Sequence, residues 1–144
     1  MKSHVATVFI TFIIVLTLQS PCQAESIYYT PPEKSKEELV YDLFNSLLYP
    51  HIDAAVKNYY SDLLIYSPSV YPYQVSIVNA KRLGGYRSYK FLITVKVTPV
   101  VGAHFAVGEE RLTFLISPNI VELKEYDHLK TYELPEHLQD YLLR

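Results

Sequence analysis

Residues 89–117 read YKFLITVKVTPVVGAHFAVGEERLTFLIS, and their pattern decides the fold class. Tyr89, Phe91, Ile93, Val95 and Val97 alternate with Lys90, Leu92, Thr94, Lys96 and Thr98. A period of two sends successive side chains to opposite faces of a strand, so the first set is expected to face a core. A further strand is expected over residues 105–116, with Leu112, Phe114 and Ile116 inward. Between the two runs, Pro99 to His104 form a corner, because proline cannot continue a central ladder and Gly102 supplies the turn. His104 is expected at the start of the next strand, partly exposed. Gly108 marks a bulge or a close backbone approach, and both glycines are expected to be required for folding.

Downstream, Ser117-Pro118-Asn119 turns the chain into a fourth strand over residues 121–132. A hairpin centred on Pro118-Asn119 pairs Ile116 with Val121, Phe114 with Leu123, Arg111 with Tyr126 and Glu109 with His128. A similar count around the corner places Phe91 opposite Leu112. Glu110 then points inward, towards Asp127, and a splayed sheet edge is expected to let both carboxylates reach water. Upstream, residues 73–83 form the first strand, and Gly84-Gly85 provides the positive φ angles of a tight hairpin. Pro135 opens a short C-terminal helix carrying Leu138, Tyr141 and Leu142 on one side.

Before the strands the period changes. Ser35-Lys36-Glu37-Glu38 is a capping box, in which the serine hydroxyl accepts from the Glu38 amide. Leu39, Leu43, Leu47 and Leu48 follow as an apolar stripe until Pro50 ends or kinks the helix. A second helix is expected over residues 50–62, with Ile52, Val56, Tyr59 and Tyr60 on one side. Residues 65–73, IYSPSVYPY, are a loop by their prolines and serines. The whole is α+β, with N-terminal helices on one face of a four-stranded antiparallel meander, in a cystatin-like or nuclear-transport-factor-like layout. Such a layout implies no function.

Residues 1–24 have the features of a cleaved secretory signal. Lys2 is a positive n-region, Val5 to Leu18 carry no charge, and Cys22-Gln23-Ala24 offers small residues for cleavage. The apolar run of about 14 residues spans only ~21 Å as a helix, short of a ~30 Å hydrocarbon core. An extended lead-in over residues 25–34 and a single domain over 35–144 are expected to follow. Cleavage removes Cys22, the only cysteine, so no disulfide is expected. Without Lys2, twelve basic side chains face fifteen acidic ones, a net charge of −3 with no basic cluster. That argues against nucleic acid and against an anionic membrane surface, leaving the membrane as a partner during export only. The expected partner is extracellular or in the cell envelope.

Gly102-Ala103-His104, Val107-Gly108, Thr113-Phe114 and Tyr132-Glu133-Leu134-Pro135 carry a resemblance over residues 36–140. The chain resembles an uncharacterised, domain-of-unknown-function family of small exported proteins from spore-forming Gram-positive bacteria. That family's pattern often has proline where this chain has Ala103 and aspartate where it has Glu109. The resemblance implies an exported domain and supplies no reaction.

Two functions from different classes fit the residues. The first is a non-enzymatic domain that binds a peptide, a glycan or a cell-wall component. Its candidate contacts are Tyr66, Tyr71 and Tyr73, because exposed tyrosines give large contact area at low entropic cost. The alternative is a hydrolase or metal-dependent enzyme using His104, Glu109 and His128. Metal ligation needs such groups to converge within ~2.0–2.2 Å of one point, and only Glu109 and His128 are expected to be neighbours. A surface cross-strand pair is therefore the expectation for them, with no metal. No G-x-S-x-G elbow, phosphate loop, dinucleotide fingerprint or HExxH occurs, so no cofactor is expected.

Overall fold

The computed structural model describes residues 30–143. The expected leader and residues 25–29 of the lead-in lie outside the described residues. One long helix, α1 (Lys36–Tyr60), begins where the capping box places it, with the Glu38 amide donating to Ser35 Oγ at 3.0 Å. The two expected helices are one, continuing through Pro50. A mid-helix proline costs ~3 kcal/mol through its lost hydrogen bond and ring clash. Here Leu48, Ile52, Val56 and Tyr60 all lie buried on one face, and that shared burial on both sides of Pro50 offsets the cost. Among the described residues no helix is long and apolar enough to cross a membrane.

The leucine stripe is also corrected. Leu39, Leu43 and Leu47 are 57–69 % exposed, whereas Leu48 is buried. Leu39 and Leu48 are nine residues apart, about two and a half turns at 3.6 residues per turn, which sets them on opposite sides. The face that enters the core runs through Asn45, Leu48, Ile52, Val56 and Tyr60 instead.

Four strands form the main sheet in the order β1 (Val75–Leu83), β2 (Lys90–Val97), β5 (Gly108–Ser117) and β6 (Ile120–Thr131), all antiparallel. The corner between β2 and β5 contains its own small ladder, β3 (Val100–Val101) with β4 (Phe105–Ala106). Ile93, Val95 and Val97 are buried with Leu112 and Phe114 in the core under α1, as the alternation predicts. Tyr89 lies before β2 and is exposed, so it does not join that set. The β1–β2 connection is the six-residue segment 84–89, longer than the tight Gly84-Gly85 hairpin expected, with positive φ at Gly84 and Arg87. A short 3-10 helix, Glu136–Tyr141, stands in place of the C-terminal helix. The architecture is thus α+β with one main helix on a four-stranded antiparallel sheet.

Register decides which side chains meet. Ile116 pairs with Val121 and Phe114 with Leu123, as counted from the turn. Beyond them Thr113 pairs with Glu125, so Lys124 is an extra residue on β6, and Leu129 is a second between the partners of Glu110 and Glu109. Each bulge shifts the pairing by one. Arg111 therefore meets Asp127 rather than Tyr126, Glu110 meets His128, and Glu109 meets Lys130. Phe91 pairs with Ile116, not Leu112, because the β3–β4 ladder pushes the centre of the corner towards residue 103.

Candidate functional site

The corner builds a surface. Residues 102–104 form the turn of β3–β4, and both Gly102 (φ +54°) and His104 (φ +67°) occupy the left-handed region there. His104 is in the turn itself, not at the start of the following strand. A left-handed conformation costs a non-glycine residue roughly 1–2 kcal/mol, and such strain clusters at functional sites. The strain at His104 coincides with aromatic contacts. Its ring stacks on Tyr71 with centroids 4.7 Å apart, Tyr71 stacks on Tyr73 at 5.4 Å, and Tyr73 Oη lies 3.2 Å from His104 Nδ1.

The loop that carries these tyrosines is pinned to the corner. Ser69 and Val100 exchange both backbone hydrogen bonds, at 2.8 and 2.9 Å. Pro68 and Val70 are buried beneath, which turns Ser67, Ser69 and Tyr71 towards the surface. Further along, the Ile65 amide donates to the Tyr141 carbonyl, and the Tyr66 and Tyr141 rings meet edge-on at 5.0 Å. Between the two aromatic groups lies a cleft of about 240 Å³ lined by Tyr66, Ser67, Ser69, Tyr71, Val100, Val101, Gly102 and Tyr141. Among the described residues none that lines it is charged.

The structure does not gather the other expected set. Glu109 accepts a hydrogen bond from Tyr132 Oη at 2.5 Å and pairs with Lys96 Nζ at 2.5 Å. His128 contacts Glu110, and His104 sits with the tyrosines, so His104, Glu109 and His128 have three separate partner sets. Among the described residues no group of three or more histidine, cysteine, aspartate or glutamate side chains is placed to hold a metal ion.

Glu109 nevertheless makes stability depend on pH. Its hydrogen bonds from Lys96 and then Tyr132 hold its carboxyl below the ordinary value of 4.5. A carboxylate with a lowered folded pKa stabilises the fold fully above its unfolded pKa and loses that contribution as pH falls through the folded one. Glu109→Gln is therefore expected to lower the melting temperature at pH 7, with the difference from the parent protein shrinking below about pH 4. A series of melting curves from pH 7 to pH 3 checks this.

Glu110 was expected to reach water and instead is fully buried. It accepts from Tyr60 Oη at 2.6 Å, and His128 Nδ1 lies 3.0 Å from both of its carboxylate oxygens. Burial first, and the hydrogen bond to Glu110 second, push the Tyr60 hydroxyl well above the ordinary phenol value. Burial and then the nearby Glu110 charge do the same to Tyr126, whose buried hydroxyl makes no hydrogen bond of good geometry among the described residues. The signal for Glu110 was present in the alternation, since residues 110, 112 and 114 share one face of β5.

A family model described as "Protein of unknown function (DUF3888)" matches residues 40–130, more than half of the chain. No curated protein and no solved structure matches.

Proposed function

The chain belongs to the DUF3888 family, whose function is unknown, and from that premise we propose an exported binding domain that holds a neutral glycan of the cell envelope. The observation that carries this reading is the cleft between the Tyr66–Tyr141 pair and the Tyr71–Tyr73–His104 stack. A sugar presents apolar C–H faces and a rim of hydroxyls. The flat rings suit the first, and Ser67, Ser69 and the tyrosine hydroxyls suit the second. Its volume of about 240 Å³ is below the ~300–1,000 Å³ of a drug-sized pocket, so it fits a single ring of a longer chain. Tyr73, 71 % exposed, extends the contact beyond that ring. Uncharged walls disfavour a charged peptide.

Export rests on residues 1–24, with Lys2, the uncharged stretch Val5 to Leu18 and the small residues before Glu25. A secreted product whose mass begins at Glu25 supports it, and a cell-retained product of full mass overturns it.

Binding is tested by calorimetry with soluble N-acetylglucosamine oligomers, which are neutral and carry no stem peptide. Tyr71→Ala and Tyr73→Ala are each expected to weaken binding at least tenfold, about 1.4 kcal/mol, while Tyr73→Ala leaves the melting temperature in place. Equal binding by parent and both variants, or no binding by any, overturns the reading. Binding to stem peptides alone replaces the glycan by a peptide.

A further inference from the structure

Beside the C-terminal end of α1, the edge strand β6 carries a second constellation around Glu110 that the glycan reading does not use. We propose that Thr131, His128 and Glu110 form a nucleophile–base–carboxylate relay that cleaves carboxylic esters with an apolar acyl chain. Glu110 holds Nδ1 of His128 at 3.0 Å, and Nε2 lies 2.7 Å from Thr131 Oγ1. With Nδ1–H donating to the carboxylate, Nε2 of the neutral ring accepts the threonine proton. This is the geometric order of an activated hydroxyl nucleophile, recognised by roles rather than by sequence position.

Three features hold the relay in place. Tyr60 Oη donates to Glu110 at 2.6 Å, fixing the buried carboxylate. Tyr59 stacks on the His128 ring with centroids 5.5 Å apart, fixing its plane. Gly108, paired with Thr131 across the sheet, leaves no side chain beside the threonine on that rung. Thr131 is exposed, so the nucleophile is accessible.

A cleft of about 410 Å³ opens at the same place, with His128 and Thr131 among its walls and Leu63, Leu134, Leu142 and Leu143 making it apolar. That volume lies in the ordinary range for small-molecule sites. It sets an acyl chain against the leucines with the ester carbonyl at the polar end. Tyr59 lines the same cleft, and burial raises its pKa, so its hydroxyl stays a donor for the developing oxyanion.

In the step, Thr131 Oγ1 adds to the ester carbonyl carbon while its proton passes to His128 Nε2 and the carbonyl electron pair moves to oxygen. When that pair returns, the bond to the alcohol oxygen breaks. The leaving oxygen takes the proton from Nε2 and departs as the alcohol, leaving the acyl group on Thr131. Water then repeats the sequence, releasing the carboxylic acid and restoring the hydroxyl. Thr131 and His128 touch the reacting atoms, and Glu110 is a positioning residue.

The test uses the full chain, p-nitrophenyl octanoate and an alkyl fluorophosphonate. The fluorophosphonate is expected to add one phosphonyl group with loss of fluoride, mapped by peptide mass to Thr131. Thr131→Ala is expected to abolish both the adduct and ester turnover, and Thr131→Ser to retain both. His128→Gln is expected to slow both by roughly 100-fold or more. Glu110→Gln is expected to lower kcat with KM unchanged while its far-UV circular dichroism at the assay temperature matches that of the parent protein, which separates mispositioning of His128 from loss of fold. Absence of an adduct in the parent protein, an adduct on another residue, or undiminished turnover in Thr131→Ala overturns the proposal and leaves the glycan reading untouched.

Discussion

Gly108→Ala is expected to destabilise the protein by roughly 3–5 kcal/mol, the size of breaking a buried, hydrogen-bonded charge. The cause is space, because Gly108 is not among the glycines with positive φ. A β-carbon there collides with the Tyr60 hydroxyl, lies 2.6 Å from Glu110 Oε1 and 2.8 Å from the Lys130 carbonyl oxygen. The carbonyl belongs to the β6 ladder and cannot retreat. The other two are the ends of the buried hydrogen bond that joins α1 to the sheet. Relief of the clash therefore separates the helix from β5 or pushes β6 out of register. At about 4 °C per kcal/mol for a domain near this size, the melting temperature falls by at least ~12 °C. Gly102→Ala is the control. Nothing approaches closer than the Leu138 methyl groups at 3.8 Å, so only the left-handed backbone is penalised, by roughly 1–2 kcal/mol. Equal losses in the two variants, read from thermal melts, overturn the steric account.

What the sequence made legible was local and periodic. The capping box at Ser35, the inward row of β2 and the pairing around Pro118-Asn119 all follow from the one-to-four-residue spacings that set backbone geometry. Pairing was lost where an extra residue enters. Lys124 and Leu129 carry no glycine or proline to announce a bulge, and a single insertion changes every partner beyond it. For that reason Glu109 was matched to His128 when Glu110 is the true neighbour. Polarity reinforced the error, since glutamate is almost never fully buried unless paired, and its partners Tyr60 and His128 come from distant parts of the chain.

The tyrosine cleft was half legible. Proline and serine spacing identified the loop, and Tyr66, Tyr71 and Tyr73 stand on it as expected. That His104 completes the stack depends on its left-handed φ and on the bonds between Ser69 and Val100, which join segments some thirty residues apart. No short window of sequence contains that pairing. Tyr141, which the sequence sets on one side of a C-terminal helix with Leu138 and Leu142, packs against the core and also forms a wall of the cleft.

Glu110 supplies the other large effect, and comparing two replacements separates its roles. Glu110→Ala empties a fully buried position and leaves the Tyr60 hydroxyl without its acceptor, beside a Tyr126 hydroxyl that already lacks a hydrogen bond of good geometry. Leaving that buried hydroxyl unsatisfied costs roughly 1–3 kcal/mol, and the cavity adds ~2–5 kcal/mol to it. Glu110→Gln keeps the shape and keeps one carbonyl oxygen for Tyr60, so its cost is expected to be nearer 1–2 kcal/mol, a single altered hydrogen bond. Its amide group, however, donates where the carboxylate accepted. His128 Nδ1 must then accept, which moves the ring proton to Nε2, the nitrogen facing Thr131. An imidazole in that tautomer cannot take the threonine proton. Denaturant titration of the two variants is therefore expected to rank them alanine well below glutamine, while kcat for the ester falls in both. A glutamine variant as unstable as the alanine one would mean that Glu110 acts through its charge rather than through its shape and single acceptor.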